Sequence, residues 1–209
     1  MKKTLFFLFA LWLNSMAFAY EIEHDGLYYN VINEIDDTHK EVEVTNRGDY
    51  ESGYSGDIVI PSSFMKEGVQ YTVTSIRGSS FWGCSELTSI NIPESVKNIG
   101  YGAFYDCSSL TSINIPDGVT SINSRAFMNC SSLTSITVNE SNPAYDSRDN
   151  CNAIIHTESG TLITGCAKTI IPNGVTSIDM WAFQGSSDLT SVTIPKSVTL
   201  INRSFERCP

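Results

Sequence analysis

The sequence predicts a mainly β fold, a solenoid of stacked 23-residue repeats. Four stretches of 21 residues align without a gap, at 73–93, 96–116, 119–139 and 175–195. The prolines that end neighbouring stretches lie 23 residues apart, as do Pro93 and Pro116, or Pro172 and Pro195. Because such a recurring period is typical of repeat architectures, we expect each unit to form one coil stacked on the next.

The first 19 residues predict a secretory signal peptide. Lys2 and Lys3 precede an apolar run from Leu5 to Leu13, and the small-residue triplet at 17–19 fits a cleavage site. The run has nine residues, about half of the roughly 18 that a membrane span requires. We therefore expect an exported chain that begins near Tyr20, does not insert into a membrane, and is extracellular, on the cell surface or periplasmic.

The segment 20–60 predicts an acidic N-terminal cap. It holds eleven acidic residues against Lys40 and Arg47, in a chain whose net charge is −10. Such a surface repels phosphate groups, which argues against nucleic acid as a partner. Residues 27–32 and 41–46 favour two antiparallel strands that cover the edge of the first coil. The acidity either keeps an open-ended solenoid soluble or marks a site for a cation or a basic partner.

Each repeat unit predicts three elements, as the unit 96–116 illustrates. The stretch Leu-Thr-Ser-Ile-Asn-Ile at 110–115 alternates apolar and polar residues and predicts a short strand that pairs in parallel with its equivalents. The stretch Val-x-x-Ile at 96–99 predicts a second short strand on the other side of the coil. Between them, Ala-Phe-x-x-Cys predicts a tight turn of 3-10 type with Phe104 in the interior. One coil buries too few apolar side chains to fold alone, so the coils must stack.

The recurring run L-T-S-I-x-I-P-x-x-V-T-S-I-x-x-x-A-F-x-x-C-S-S resembles the BspA-like leucine-rich repeat family of bacterial surface proteins. The resemblance extends from about Asp57 to Pro209. It implies a curved solenoid of right-handed coils, secretion or surface display, and adhesion to other proteins or glycans. It implies no enzymatic activity. The repeat domain then spans 61–209, and its last copy, from Val198, is incomplete.

An insert interrupts the repeats. The third repeat ends at Asn139 where others have proline, and Pro172 follows 33 residues later, which indicates extra residues at about 140–170. Within them, 152–156 and 161–164 flank a glycine-containing turn and predict a β-hairpin. We expect this hairpin to replace one half of a coil.

Candidate binding residues come from the insert and from aromatic side chains at non-core repeat positions. Trp, Tyr and Arg dominate binding hot spots. The candidates are Tyr145, Arg148, Asp149, His156 and Glu158 in the insert, and Trp82, Tyr105 and Trp181 in the repeats. Alternatively, the insert is a structural variant of a coil and the aromatic residues shield the convex side. The strand face carries a ladder of polar side chains such as Thr111 and Asn114, which binds sugars or an extended peptide, or is only a solvated surface.

Six cysteines in an exported chain permit disulfides. Four of them occupy one position of the repeat and point the same way, which predicts small buried residues rather than disulfide partners: Cys84, Cys107, Cys130 and Cys208. Cys151 and Cys166 flank the predicted hairpin and form a possible disulfide.

The sequence contains no recognisable metal, cofactor or catalytic motif. His24, His39 and His156 have no Cys or His partner at a zinc-like spacing. There is no nucleophile elbow and no phosphate-binding glycine loop. The prediction is therefore a secreted or cell-surface protein-binding and adhesion module, without enzymatic activity, metal or cofactor, whose partner is an extracellular protein or glycan. The alternatives are a glycan-binding module and a non-catalytic structural spacer of a larger surface protein.

Overall fold

The computed structural model describes residues 20–48 and 53–208, so the predicted signal peptide at 1–19 lies outside the described residues. The described chain consists almost entirely of strands and turns. It contains no α-helix, and its one helical element is a 3-10 turn at Arg148–Asn150. A β-rich fold, as predicted, agrees with repeats in which β-branched residues alternate with polar ones.

The described residues form sixteen strands. The N-terminal part and the first repeat contribute β1 (Ile22–His24), β2 (Leu27–Asp36), β3 (His39–Thr45), β4 (Gly56–Val59), β5 (Ser63–Lys66) and β6 (Val69–Ile76). The end of the first repeat and the next two repeats contribute β7 (Leu87–Asn91), β8 (Asn98–Ile99), β9 (Ser112–Ile115), β10 (Ser121–Ile122) and β11 (Ser135–Val138). The insert and the C-terminal part contribute β12 (Tyr145–Asp146), β13 (Ala153–His156), β14 (Thr161–Gly165), β15 (Ser177–Ile178) and β16 (Leu200–Ile201).

The N-terminal strands form one sheet in the order β1-β2-β3-β6-β8-β10, with β5 also paired to β6. β2 and β3 are antiparallel, as the sequence predicts, and Tyr29 lies opposite Val44. β3 then pairs in parallel with β6, with Val42 opposite Val73. The β2–β3 hairpin therefore occupies a sheet edge that the first Val-x-x-Ile strand would otherwise expose.

The Leu-Thr-Ser-Ile strands pair in parallel on the other side of the repeats. In the β9–β11 pair, Ser112 lies opposite Ser135 and Ile115 opposite Val138. β4 pairs with β7 in the same orientation. Isoleucine side chains at equivalent positions point into the core, while the Ser, Thr and Asn side chains between them face solvent.

A column of stacked phenylalanines fills the interior. The ring centroids of Phe81 and Phe104 are 5.0 Å apart, and those of Phe104 and Phe127 are 5.3 Å apart. The cysteine column is buried beside it. Cys107 Sγ donates to Phe81 O at 3.0 Å, and Cys130 Sγ donates to Phe104 O at 3.1 Å. Each thiol therefore provides a hydrogen bond for a carbonyl group of the preceding coil.

The turn around each phenylalanine is not the 3-10 turn that the sequence predicts. Its hydrogen bonds do join residues three apart, such as Ala103 N to Gly100 O at 3.2 Å. A 3-10 helix needs consecutive right-handed residues, but two residues of each turn are left-handed. In successive repeats these are Ser79, Gly102, Arg125, Trp181 and Arg203 at the first position, and Gly83, Asp106, Asn129, Gly185 and Arg207 at the second.

The predicted strand of the fourth repeat, at 189–194, is also wrong, because no strand is assigned there. A strand requires a paired neighbour. The parallel ribbon stops at β11, where a loop of the insert takes the place of the next strand: Asn152 Oδ1 accepts a hydrogen bond from Ile136 N at 3.3 Å.

The insert forms the predicted hairpin. β13 and β14 are antiparallel, with Ile154 opposite Thr164. The strand order β12-β13-β14-β15-β16 joins this hairpin to the short strands of the C-terminal repeats, and Leu162 lies opposite Ile178 in the parallel β14–β15 pair.

The insert lacks the phenylalanine turn of a regular coil. Gly165 N donates to Ala182 O at 2.9 Å, the bond that phenylalanine N–H groups make elsewhere. A Cβ on Gly165 would lie 2.3 Å from the Phe183 ring, so the phenylalanine column is interrupted here. On the turn side, Asn129 N donates directly to Gln184 O of the fourth repeat at 3.1 Å.

Candidate functional site

A groove opens where the insert leaves the third repeat. It encloses about 610 Å³ between β11 and the loop that leads to the hairpin. Most of the lining residues are polar, and the apolar or aromatic ones are Ile136, Val138 and Tyr145. The lining residues are Ile136, Thr137, Val138, Asn139, Glu140, Asn142, Tyr145, Asp146, Ser147, Arg148, Asp149, Asn150, Asn152 and Thr157.

One wall is the edge of β11 that faces away from β9. Ser135 N and Asn139 N donate to carbonyl groups next to or within β9, at 3.3 and 2.9 Å. Successive main-chain groups of a strand point to opposite edges. The N–H and C=O groups of Ile136 and Val138 therefore point to the edge that borders the groove.

The two residues of this edge differ in their partners. Ile136 N donates to Asn152 Oδ1, and Ile136 O accepts from Ser147 Oγ, each at 3.3 Å. Among the described residues, none hydrogen-bonds the Val138 N–H or C=O on this edge. This edge of β11 thus offers the groove one main-chain donor and one main-chain acceptor, both on Val138, without a partner from residues 20–48 and 53–208.

The opposite wall is held by an ion pair. Arg148 Nε donates to Asp146 Oδ1 at 2.6 Å, and a second guanidinium nitrogen contacts the other carboxylate oxygen. Thr157 Oγ1 also donates to Asp146 Oδ2 at 2.9 Å. Burial raises the pKa of Asp146, but the hydrogen bonds from Arg148 and Thr157 outweigh it, so the pKa lies below its usual value.

The loop is anchored to the preceding coils. Asn142 Oδ1 accepts from Ala144 N and Tyr145 N at 2.9 and 2.8 Å. The Tyr145 hydroxyl accepts from Ile122 N at 2.8 Å, which fixes the start of β12 against β10. Contacts with several elements therefore hold this wall in place.

The acidic side chains of the groove are only partly neutralised. Asp146 is paired with Arg148, whereas Glu140 and Asp149 are exposed and take part in no ion pair among the described residues. Asp149 and Asn150 are left-handed, with φ of 58° and 52°, a conformation in which Asp and Asn are enriched. The groove therefore presents a fixed, negatively charged surface.

Metal chemistry has no support in the described residues, which contain no group of three His, Cys, Asp or Glu side chains able to hold an ion. Within the same part of the chain, no helix is long and apolar enough to cross a membrane. The groove offers hydrogen-bonding groups and charge.

The model of the family described as "BspA type Leucine rich repeat region" matches the chain in six copies, over residues 62–156 and 162–209. The chain belongs to this family. The gap between the two matched ranges, 157–161, falls on the turn of the inserted hairpin.

Solved structures of bacterial leucine-rich repeat proteins resemble this BspA-type protein. A leucine-rich repeat protein of T. pallidum is 21% identical, with 90% of this chain and 91% of that chain covered and a TM-score of 0.54. One from Eubacterium ventriosum is 17% identical, with 86% and 60% covered and a TM-score of 0.50. One from Bacteroides capillosus is 28% identical, with 57% and 83% covered and a TM-score of 0.47. The first two show the fold. No curated protein matches the chain significantly.

The candidate residues of the insert occupy two places in the BspA-type protein. Tyr145, Arg148 and Asp149 line the groove, but Tyr145 is only 5% exposed and its ring is part of the core. His156 and Glu158 lie at the turn of the hairpin, outside the groove lining. His156 Nδ1 is 2.9 Å from Ser159 Oγ, and its ring packs edge-on against Tyr145 at 5.6 Å.

The aromatic candidates of the repeats lie away from the groove and pack against neighbours. Trp82 and Tyr105 contact each other with ring centroids 4.4 Å apart. Trp181 stacks on the Arg125 guanidinium, whose carbon is 3.8 Å from the ring centroid. Each aromatic ring therefore has a contact within the protein, although Trp82 remains 45% exposed.

The two cysteines near the hairpin, Cys151 and Cys166, are not joined by a disulfide in the structure. Cys151 packs with the core of the C-terminal repeats, whereas Cys166 packs with the core of the N-terminal repeats. Cys166 Sγ donates to Asn152 O at 3.6 Å. Side chains that belong to separate clusters are poorly placed for a disulfide.

Several groove residues were not predicted from the sequence, namely Val138, Glu140, Asp146, Ser147 and Asn152. The available signal was Asn139, which replaces the proline that ends other repeats. A second signal was the group Asp149, Asn150 and Asn152, since Asp and Asn are typical of left-handed turns. Neither signal identifies which strand edge stays open.

Proposed function

We propose that this protein is an exported protein-interaction module that contacts an extracellular partner through the insert groove. The observation that carries the proposal is the groove itself, a preformed concavity with a mostly polar lining where a loop of the insert lies beside the edge of β11. Membership in a repeat family of bacterial surface-type proteins supports it, because insertions in repeat proteins often lie on the binding face. The N-terminal sequence supports export.

Glycan binding is the second candidate and depends on exposed aromatic rings. The Trp82–Tyr105 pair is the surface that favours it, since Trp82 is exposed and both rings lie together. Sugar rings stack on free aromatic faces, and one face of each ring is already used within the pair. This leaves less stacking area than a dedicated platform would provide.

The test is a binding screen with the mature protein, produced by export of the full chain, against panels of extracellular-matrix proteins and glycans. The groove variant combines Glu140→Arg and Asp149→Arg. The control variant combines Glu86→Arg and Asp188→Arg, which change the net charge equally at exposed positions outside the groove. Thermal unfolding confirms that both variants fold.

We expect saturable binding to one protein class, weakened about tenfold or more in the groove variant and unchanged in the control. Equal binding by the two variants would contradict the groove as the site. Binding to the glycan panel that is lost in Trp82→Ala would favour the second candidate. A folded protein that binds neither panel would favour a structural spacer.

A further inference from the structure

The open edge of β11 has the geometry of an unfinished parallel ladder. β11 pairs with β9 on one side only. On the other side, the insert satisfies Ile136 with side chains, Asn152 Oδ1 and Ser147 Oγ, and leaves the main-chain groups of Val138 toward the groove. An unpaired N–H and C=O on one strand edge is the feature to which extended peptides add in β-augmentation.

We infer that the groove receives an extended segment of the partner protein, which hydrogen-bonds to Val138 as an added strand and carries a lysine or arginine side chain. This inference rests on the proposed function and names the partner's chemistry at the same site. The occupant adds to β11 at Val138, next to the position of Ile136 that the insert already bonds.

The charge of the groove selects a basic segment. Glu140 and Asp149 lie at the groove and have no ion-pair partner among the described residues, while the one cation, Arg148, is already held by Asp146. The chain as a whole has a net charge of −10. An acidic segment would meet like charge, whereas a lysine or arginine side chain meets opposite charge.

The side chains opposite β11 favour a ligand in extended conformation, with exposed main-chain groups, over a helix. Asn150 and Asn152 present amide groups along the wall, and such groups bind main-chain N–H and C=O groups as well as side chains. A helix has no free main-chain groups except at its ends, so it cannot use the Val138 edge.

The experiment uses synthetic peptides of matched apolar content in basic, neutral and acidic sets, titrated against the mature protein. Main-chain pairing is tested by N-methylation of successive peptide bonds, which should weaken binding most at the one position whose N–H pairs with the Val138 C=O. On the protein, Val138→Pro removes the N–H that faces the groove and spares the β9–β11 pairing, because proline is tolerated on an open strand edge. Hydrogen exchange of the Val138 amide provides a measurement that needs no variant.

We expect the basic set alone to bind, with protection of the Val138 amide and a loss of about tenfold or more in Val138→Pro. Glu140→Gln with Asp149→Asn should weaken binding and its salt dependence, while Glu86→Gln with Asp188→Asn should not. If N-methylated peptides bind as tightly as unmodified ones and the Val138 amide stays unprotected from hydrogen exchange, strand addition is wrong.

The outcomes distinguish failure of the extended-segment inference from failure of the proposed function. If no peptide set binds but a folded extracellular protein still binds through the groove, the extended segment is wrong and the groove remains the site. If acidic peptides bind as well as basic ones, the assigned charge is wrong. If neither peptides nor proteins depend on the groove variant, both proposals fail.

Discussion

The regular coils at 96–139 and the insert at 140–170 both pack against neighbouring repeats, but they use different contacts to do so. In the regular coils, each phenylalanine stacks on its equivalents and each strand pairs with the next copy of itself. In the insert, a hairpin supplies the strands, Gly165 occupies the phenylalanine position, and side chains replace main-chain bonds at β11.

The two regions differ in which main-chain groups are bonded within the protein. In the regular coils, β9 pairs with β11 and β8 with β10, and polar side chains of the strand face bond one another, as Thr137 Oγ1 does with Asn114 Oδ1 at 2.9 Å. The insert hydrogen-bonds the main-chain groups of Ile136 in β11 but not those of Val138, which have no partner on this edge among the described residues. In this protein, the groove lies where the insert interrupts the pairing of parallel strands at β11.

The largest expected effect is on the phenylalanine column of the regular coils. Phe104 is fully buried and stacked on both sides, so we expect Phe104→Ala to lower the free energy of unfolding by about 3–5 kcal/mol. Phe205 is half-buried and stacks on one ring, so Phe205→Ala should cost less. Urea denaturation followed by circular dichroism measures both. Equal losses would show that the column is not the main source of stability in the regular coils.

The next effect concerns the break in the column. A Cβ at Gly165 would lie 2.3 Å from the buried Phe183 ring, so we expect Gly165→Ala to destabilise the protein by about 1–3 kcal/mol through overpacking. Gly53→Ala is the control, because a Cβ there meets nothing within 4 Å. If Gly165→Ala has the stability of the control when both are unfolded in urea, the insert packs more loosely than described.

A smaller effect concerns the ion pair of the groove wall. Since the folded-state pKa of Asp146 lies below its usual value, Asp146 contributes stability above the unfolded pKa of about 3.9 and loses it as pH falls through the folded pKa. We expect Asp146→Asn to cost below about 1 kcal/mol at neutral pH, because solvent screens the partly exposed pair. This difference should vanish in acid. Urea denaturation at neutral pH and in acid tests this pH dependence, with Asp188→Asn as the exposed control.

The smallest effect is chemical and leaves stability unchanged. Because no disulfide joins the cysteines of the described residues and Cys151 and Cys166 pack into separate clusters, we expect six alkylated cysteines when the non-reduced protein is unfolded and labelled. Mass spectrometry counts them. Four labels, with 151 and 166 linked in a peptide map, would instead support the disulfide that the sequence suggests.

Much of the architecture could be predicted from the sequence because repetition makes each signal recur. The alternation in 110–115 occurs in other repeats, and it correctly locates β7, β9 and β11. The glycine-containing turn between 152–156 and 161–164 likewise locates the inserted hairpin. The fourth strand, at 189–194, fails because alternation describes which side chains can be buried, not whether a paired neighbour exists.

Other features could be decided only by tertiary structure. The left-handed conformation of Trp181 and Arg125 is not a local preference of either residue, and it occurs where the turn places them against each other. Tyr145 looked like a surface residue, yet its hydroxyl bonds Ile122 N and its ring is buried.

The sequence by itself determined the repeat, the hairpin and the acidity, because period, alternation and charge are properties of the chain. Only the tertiary structure decided which strand edge remains open and which carboxylates stay unpaired. Those depend on which atoms the insert brings beside β11. Asn152 lies 16 residues from Ile136 along the chain and 3.3 Å from it in space, a coincidence that no local pattern encodes.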